Sequence, residues 1–223
     1  MLEEKIIELK EQIVSQANNV EKMIEDCING FLDKNSNVLK KVINEDENKI
    51  NKNEIKIEKL YTDIFVRYQT EAKDLRTVLM ISKMNIDLER VADQCVNIAE
   101  SALYLIEKPL VKPLIDIPRM AEISKRMLID SITSFIDEDE NLAKDVCGRD
   151  EEVDILNEQI MRELITYMAC ETKTIERSLH LIRIAHNIEK IADLATNIAE
   201  EAVFIVNGKI IKHHKFEKEK KNL

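Results

Sequence analysis

The stretch LERVADQCVNIAE, from Leu88 to Glu100, returns in altered form as IEKIADLATNIAE, from Ile188 to Glu200. At this offset of 100 residues, seven of the thirteen positions are identical, and they include two Glu, one Asp and one Asn. In both copies the apolar residues recur in steps of three and four, which is the period of one face of an α-helix. The sequence therefore predicts a helix that occurs twice. Both copies contain the same polar residues, which core packing does not require.

The composition of the whole chain favours helices. The 223 residues include only three Gly and three Pro, whereas a sheet protein needs turn residues about every ten positions. Apolar residues make up 44% of the chain, but there is no Trp and there are only nine Phe and Tyr together, so the predicted core is mostly aliphatic. We therefore expect an all-α fold.

Proline marks the middle of the chain, because all three prolines lie between positions 109 and 118. Proline lacks an amide donor and disfavours helix, so a linker is expected there. Three amphipathic stretches precede the linker and three follow it, which predicts two tandem three-helix bundles with six long helices.

The predicted boundaries follow from this division. The first unit spans 1–113, the second spans 114–208, and 209–223 forms a basic C-terminal tail with six Lys and two Glu. Gly30 and Gly208 stand near the ends of periodic stretches, where a glycine commonly terminates a helix. Both are therefore expected to be C-terminal caps.

Charge and cysteine usage narrow the class of protein. The net charge of −10 argues against nucleic acid as a partner, because phosphate binding needs a basic surface. The four Cys are widely spaced and contain no CxxC pair, so we expect them to be reduced, buried, small apolar residues. No uncharged run approaches the ~18 residues of a membrane span. We expect a cytoplasmic protein without membrane insertion.

The repeated acidic residues are candidate metal ligands. Glu89 and Asp93 lie one helical turn apart beside the buried stripe, and Glu189 with Asp193 repeats the spacing. Such like-charge pairs destabilise a helix by about 0.2–0.5 kcal/mol each, and a bound cation reverses the sign of that effect. Carboxylate and amide oxygens suit Mg²⁺, Mn²⁺, Ca²⁺ or oxidised iron better than zinc held by thiolates, although zinc at carboxylates stays an alternative.

A second helix in each unit offers further carboxylates. In the second unit Asp150 and Asp154 have the same spacing. In the first unit either Asp46 or Glu47 is the first member and Asn51 closes the motif, so we expect the second unit to hold the better site. Weaker candidates on the repeated helices are Asn97, Glu100, Asn197 and Glu200. The alternative is that all these residues form an ordinary solvated face.

The repeated pattern E-[RK]-[VI]-A-D-x-x-x-N-I-A-E resembles the PhoU family, the accessory regulators of bacterial phosphate-specific transport. The segment EAKDLR, from Glu71 to Arg76, resembles the start of the family's third helix. The resemblance extends from the first predicted helix to Gly208 and implies the two three-helix units. Ala92 and Ala192 stand where the family has a glycine before the motif Asp.

The resemblance also implies a site and a role. In some PhoU-like proteins the acidic pairs hold clustered metal ions, iron among them, and this implication falls on three pairs: Glu89 with Asp93, Glu189 with Asp193, and Asp150 with Asp154. No organic cofactor is implied. The implied role is that of an adaptor between the ATPase subunit of the phosphate ABC transporter (PstB-like) and a sensor histidine kinase (PhoR-like), which restrains phosphate-starvation signalling at the inner face of the membrane.

Further expectations concern contacts and assembly. We expect a homodimer, and Arg76 and Arg90 are candidate partner contacts, with local ion pairs to nearby acids as the alternative. A carboxylate-bridged di-iron oxidoreductase is one competing hypothesis, but such sites need Glu-x-x-His on helices and the sequence has none. A metal-free helical scaffold is the other. Because no hydrolase or nucleotide-binding motif occurs, we expect no enzyme activity.

Overall fold

A computed structural model of the chain describes residues 1–207, and every regular element within them is helical. The helices are α1 (Leu2–Leu32), α2 (Ser36–Lys41), α3 (Glu47–Arg67), α4 (Ala72–Ile106), α5 (Asp116–Ile136), α6 (Glu140–Cys170) and α7 (Ile175–Asn207). A π-helical turn, Val42–Asp46, joins α2 to α3, so these two form one continuous rod. The prediction of an all-α fold with six long rods in two units is confirmed. Gly208 and the predicted tail lie outside the described residues.

The first hairpin of each unit is built in the same way. Lys34 and Glu138 both have φ of 53°, the left-handed conformation that ends a helix. Asn35 and Asp139 follow, and each side chain accepts hydrogen bonds from the two backbone amides that open the next helix. The expectation that Gly30 caps α1 is wrong, because the helix continues to Leu32 and Lys34 takes the left-handed position.

Gly30 contributes to close packing instead. A Cβ atom added to Gly30 would lie 2.9 Å from Cδ2 of Leu39, a fully buried side chain of α2. The missing side chain therefore lets α2 approach α1. The sequence contains the glycine, but its partner became visible only with the packing of the two helices.

The π turn accounts for one extra residue in the first unit. The rod from Ser36 to Arg67 has 32 residues, whereas α6 has 31. Buried Val42 and Ile50 are eight residues apart, while their counterparts Val146 and Val153 are seven apart. A π turn absorbs one inserted residue and keeps the flanking residues on one face. Both apolar stripes therefore reach the core.

The two units meet along α4 and α7, which pack against each other in antiparallel orientation. Lys83 on α4 bonds Glu201 on α7 at 2.8 Å. Near the other end of the pair, the rings of Tyr104 and His180 stack at 4.2 Å. The register set by these contacts places Ala92 opposite Ala192, and both are buried. The alanines that replace the family's glycines are therefore part of the junction between the units.

The linker between the units is held by Lys112, whose side chain is only 9% exposed. Its ammonium group bonds Asp116 at 2.9 Å and also contacts Glu163 of α6. Of the four cysteines, Cys27 and Cys95 are buried as expected, but Cys147 is half-buried and Cys170 is exposed at the end of α6. The expectation of four buried thiols is therefore wrong for these last two: Cys147 packs against the core but stays partly accessible, and Cys170 is the last residue of α6.

No helix in the part of the chain that the structure describes has the length and apolarity needed to cross a bilayer.

Candidate functional site

The acidic pair of α4 faces a further carboxylate on α3. Glu89 and Asp93 lie one turn apart and are both half-buried. Burial and the nearby Asp93 and Glu54 carboxylates raise the pKa of Glu89. The pKa of Glu54 is raised too, by burial and then by Glu58 and Asp93. The carboxylates from the two helices thus lie near enough to repel one another, and burial weakens their solvation.

The structure distinguishes between the two candidates at the start of α3. Glu47 lies near the α4 pair, because its charge contributes to the raised pKa of Glu89. Asp46 instead bonds Lys41 at 2.8 Å, and Lys41 also bonds Asp26 of α1 at 3.3 Å. Asp46 is therefore part of an ion-pair network on another side of the rod.

Sequence reasoning missed Glu54. It lies seven residues after Glu47 and three after Asn51, so all three share one face of α3. That spacing was available in the sequence. Asn51 itself lies within this face, and its Oδ1 atom is buried without a hydrogen-bond partner in residues 1–207. We call Glu47, Glu54, Glu89 and Asp93 the first acidic cluster.

The acidic pair of α7 carries its own cation. Lys190 bonds Asp193 at 2.6 Å and lies 3.4 Å from Glu189. Burial and Asp193 raise the pKa of Glu189, while Lys190 opposes that rise. His186 lies 3.4 Å from the same carboxylate. At the repeat-related position of α4, Arg90 bonds Asp87 at 3.3 Å, although its charge also opposes the rise in the pKa of Glu89. The two repeated pairs therefore share a sequence pattern but differ in local charge.

On α6, the two predicted carboxylates lie in different surroundings. Asp150 is buried and Asp154 is exposed. Burial raises the pKa of Cys147 to about 12, and the charges of Glu200 and Asp150 add to this effect. Glu200 and Asp150 therefore both lie close to this thiol, between α6 and α7. Of the weaker candidates, Asn97 is half-buried, while Glu100 and Asn197 are exposed.

A broad groove of about 690 Å³ runs over α7 between α4 and α6. Its charged lining comprises five acids and three bases: Asp87, Asp150, Asp193, Glu200, Glu201, Lys83, Arg90 and Lys190. Burial raises the pKa of Asp87 to about 6, although Arg90 opposes this shift. The centre of the groove is therefore acidic on balance.

Within residues 1–207, no three His, Cys, Asp or Glu side chains are already arranged as metal ligands. The carboxylates of the first acidic cluster approach one another without converging on a point. Their chemistry nevertheless suits a hard cation, because all four offer carboxylate oxygen atoms.

The two candidate partner-contact residues differ in accessibility. Arg90 is 57% exposed and lines the groove while it bonds Asp87. Arg76 is half-buried at the start of α4, and its Nε atom has no hydrogen-bond partner in the described part of the chain. Arg90 is therefore the more accessible of the two.

Comparison with known proteins identifies relatives of this chain. The model of the PhoU domain matches residues 13–102 and again residues 117–202. The phosphate-specific transport system accessory protein PhoU homolog of Aquifex aeolicus is 40% identical over 206 residues, covering 92% of this chain and 93% of that protein. The accessory protein PhoU of Escherichia coli is 30% identical over 205 residues, covering 92% and 85%.

A solved structure agrees with the sequence relatives. The crystal structure of PhoU from Pseudomonas aeruginosa superposes with a TM-score of 0.90 at 30% identity, covering 94% of this chain and the whole of that one. Two domain matches, relatives of similar length and a common fold all agree. The chain belongs to the PhoU family.

Proposed function

We propose that this protein is the accessory regulator of a phosphate-specific transport system. It binds the ATPase subunit of the transporter and a sensor histidine kinase, and it acts at the cytoplasmic face of the membrane. The observation that carries the proposal is the similarity to the Aquifex protein, which extends over 92% of this chain and 93% of that protein. Similarity over the full length supports a shared role better than a match to one domain does.

The structure supports binding as the means of regulation. The buried apolar residues of both units belong to one connected core, so the two units behave as one body. A partner bound to one face can then alter the affinity for a second partner through a shared body, and the coupling is reciprocal. Phosphate status sensed by the transporter would reach the kinase by this route.

We further propose that the first acidic cluster holds a hard cation such as Mg²⁺, Mn²⁺ or ferric iron. Burial is the main cause of the raised pKa of Glu89 and Glu54, and a bound cation would neutralise the repulsion between carboxylates that adds to it. In the second unit Lys190 already supplies positive charge to Asp193. The local charges therefore favour the first unit over the second, which is the reverse of the order expected from the sequence.

The adaptor proposal is tested by binding to purified partners. The full chain is immobilised and exposed separately to the transporter ATPase subunit and to the cytoplasmic part of the kinase, at high and at low phosphate. Specific binding of both, with one partner changing the affinity for the other, supports the proposal. Failure to bind either partner at both phosphate levels contradicts it.

The metal proposal is tested by elemental analysis of protein purified without chelator. The double variant E89Q/D93N is compared with the matched double variant E189Q/D193N, and the helix content of both is checked by circular dichroism. We expect metal to be lost mainly from the first variant. Metal-free wild-type protein that also fails to take up Mn²⁺ or iron would support a plain scaffold. Oxygen consumption after addition of ferrous iron would support the di-iron oxidoreductase.

A further inference from the structure

The outer face of the α4/α7 pair exposes large apolar side chains at positions related by the repeat. Leu79 on α4 is 41% exposed and Leu179 on α7 is 50% exposed. One turn earlier, Leu75 and Ile175 are 43% and 41% exposed. Single exposed apolar residues are common on protein surfaces. The feature that needs an explanation is therefore their repetition, with the same offset as the acidic motifs.

Duplication alone does not account for these residues. Between 72–106 and 172–206, only ten of 35 aligned positions are identical, so the two copies have diverged widely. Leu79 and Leu179 form one of the ten identical pairs, although neither is buried. Core packing therefore gives no reason for leucine at either position, whereas a surface contact at each would.

The antiparallel packing places these residues at opposite ends of one face. In the register set by Lys83 with Glu201 and by Tyr104 with His180, Leu179 is level with residue 105 of α4. Residues 79 and 105 of one helix are about 39 Å apart at 1.5 Å per residue. The face thus has two equivalent apolar ends, which are related by a half-turn about an axis near the centre of the pair.

The groove lies between the apolar ends on the same side of the pair. Ile86, which is 50% exposed, lines the groove and lies two helical turns from Leu79, so both point the same way. Besides the buried Asp150, the centre of the face contains four acids against three bases. A second copy of this chain is a poor match, because its own acidic centre would face this one.

We propose that the α4/α7 face binds a two-fold symmetric partner, which presents the same apolar element twice on either side of a basic centre. A surface with two equivalent ends is matched in full only by a partner with the same rotation axis. This inference rests on the proposed adaptor function, and the partner that it assigns to this face is the transporter ATPase subunit, bound as a pair of identical copies. Acidic charge at the centre speeds the encounter and orients the partner, and the two apolar ends supply most of the affinity.

The test uses the full chain and the purified ATPase subunit. The variants L79Q and L179Q keep a good helix former at exposed positions, so both are expected to fold. Each should weaken binding by about tenfold and by a similar factor, and the double variant by on the order of a hundredfold. Sedimentation should show one copy of this chain with two ATPase subunits, and added salt should weaken the complex.

The matched control is I55Q, because Ile55 on α3 is 48% exposed and lies off the α4/α7 face. Its affinity should equal that of the wild type.

Unchanged binding by L79Q and L179Q, an effect of only one of them, or a complex of one chain with one subunit would overturn the inference and leave the adaptor function standing. Self-association that L79Q and L179Q abolish would show that a second copy occupies the face. A wild type that binds neither the ATPase nor the kinase would contradict the adaptor function itself.

Discussion

At the scale of single residues, burial disfavours the charged form of Asp87. Its side chain is 14% exposed, and burial raises its pKa from 3.8 to about 6, with Glu201 adding to the rise. At the repeat-related position α7 has the neutral Asn187. The native state therefore holds a proton on Asp87 more tightly than the unfolded chain does. This contribution to stability is complete below pH 3.8 and is lost as the pH rises through about 6.

Replacing Asp87 with Asn should therefore stabilise the protein at neutral pH. We expect D87N to unfold with a free energy about 1–2 kcal/mol higher at pH 7.5, and the difference should shrink as the pH falls towards 4. Urea unfolding followed by circular dichroism at several pH values measures this. The control is E151Q, which removes an exposed carboxylate from α6. A gap between D87N and wild type that does not depend on pH would show that the charge of Asp87 is not the cause.

The sequence located most of the acidic residues but not their electrostatic partners. Helical spacing alone placed Glu89 beside Asp93, because that neighbourhood is fixed by the geometry of one helix. The approach of Glu54 depends on how α3 packs against α4, and the position of Lys190 depends on the path of a flexible side chain. Neither is specified by spacing along one helix. The repeated spacing and the local charges therefore favour different units, and the preference for the second unit drawn from the sequence stays a prediction.

At the scale of helices, the two glycines in the described part of the chain differ in their surroundings, which are tightly packed at one and open at the other. Gly30 lies where α2 packs closely against α1, whereas Gly148 of α6 has no neighbouring atom within 4 Å of an added Cβ. Alanine gains about 1 kcal/mol of helix propensity over glycine at either site. At Gly30 the new methyl group must displace the buried Leu39, and such overpacking costs about 1–3 kcal/mol.

We therefore expect G148A to stabilise the protein by about 0.5–1 kcal/mol and G30A to destabilise it by up to ~2 kcal/mol. Thermal and urea unfolding of the two variants measure the difference directly. The double variant G30A/L39V, with a smaller side chain at position 39, should recover part of the loss. If G30A were as stabilising as G148A, the close approach of α2 to α1 would have no energetic importance.

The π turn between α2 and α3 gives a second prediction at this scale. Deleting the exposed Glu45 should convert Val42–Asp46 into α-helix and leave the buried residues on one face, as in α6. We expect this deletion to change the free energy of unfolding by about 1 kcal/mol or less. Deleting Glu151 from α6, which has no π turn to absorb the change, should cost several kilocalories per mole because the apolar stripe rotates away from the core. Equal losses in the two deletions would contradict this account.

The presence of the six long helices could be predicted from the sequence, but the π turn and the position of the first helix cap could not. Apolar steps of three and four residues depend only on which side of a rod is buried, so they predicted all six rods. Near residues 42–50 the step is one residue too long for an α-helix, and only the contact of both flanking stripes with the core shows that a π turn corrects it. The misplaced cap at Gly30 has the same origin. Both features are set by tertiary packing.

At the scale of the whole molecule, the two repeated units share one hydrophobic core and do not form separate domains. α7 packs against α4, α5 and α6, while α4 packs against α1, α3 and α7. The central pair thus serves both units, and the buried residues form one connected core. Domains that share a core are expected to unfold together. Such cooperativity would suit the proposed adaptor function, because binding at one unit then affects the other.

This shared core predicts the behaviour of the separated halves. Fragments 1–109 and 110–223, divided within the linker, should each lose much of their helix content, because each leaves one side of α4 or α7 exposed to water. Mixed or co-expressed, the fragments should associate and recover the helix content of the intact chain. Circular dichroism and sedimentation of the fragments alone and together measure this.

Core substitutions in the intact chain provide the control. L9A in α1 and L164A in α6 each remove a fully buried side chain, at a cost of about 2–5 kcal/mol, and lie in different units. Because one core connects the units, both substitutions should lower the midpoint of a single unfolding transition. They should also speed amide hydrogen exchange in the core helices of both units.

If L9A instead produced two transitions, or if fragment 1–109 melted cooperatively at the midpoint of the intact chain, the units would be independent. The coupling on which the proposed adaptor function depends would then need a different physical basis.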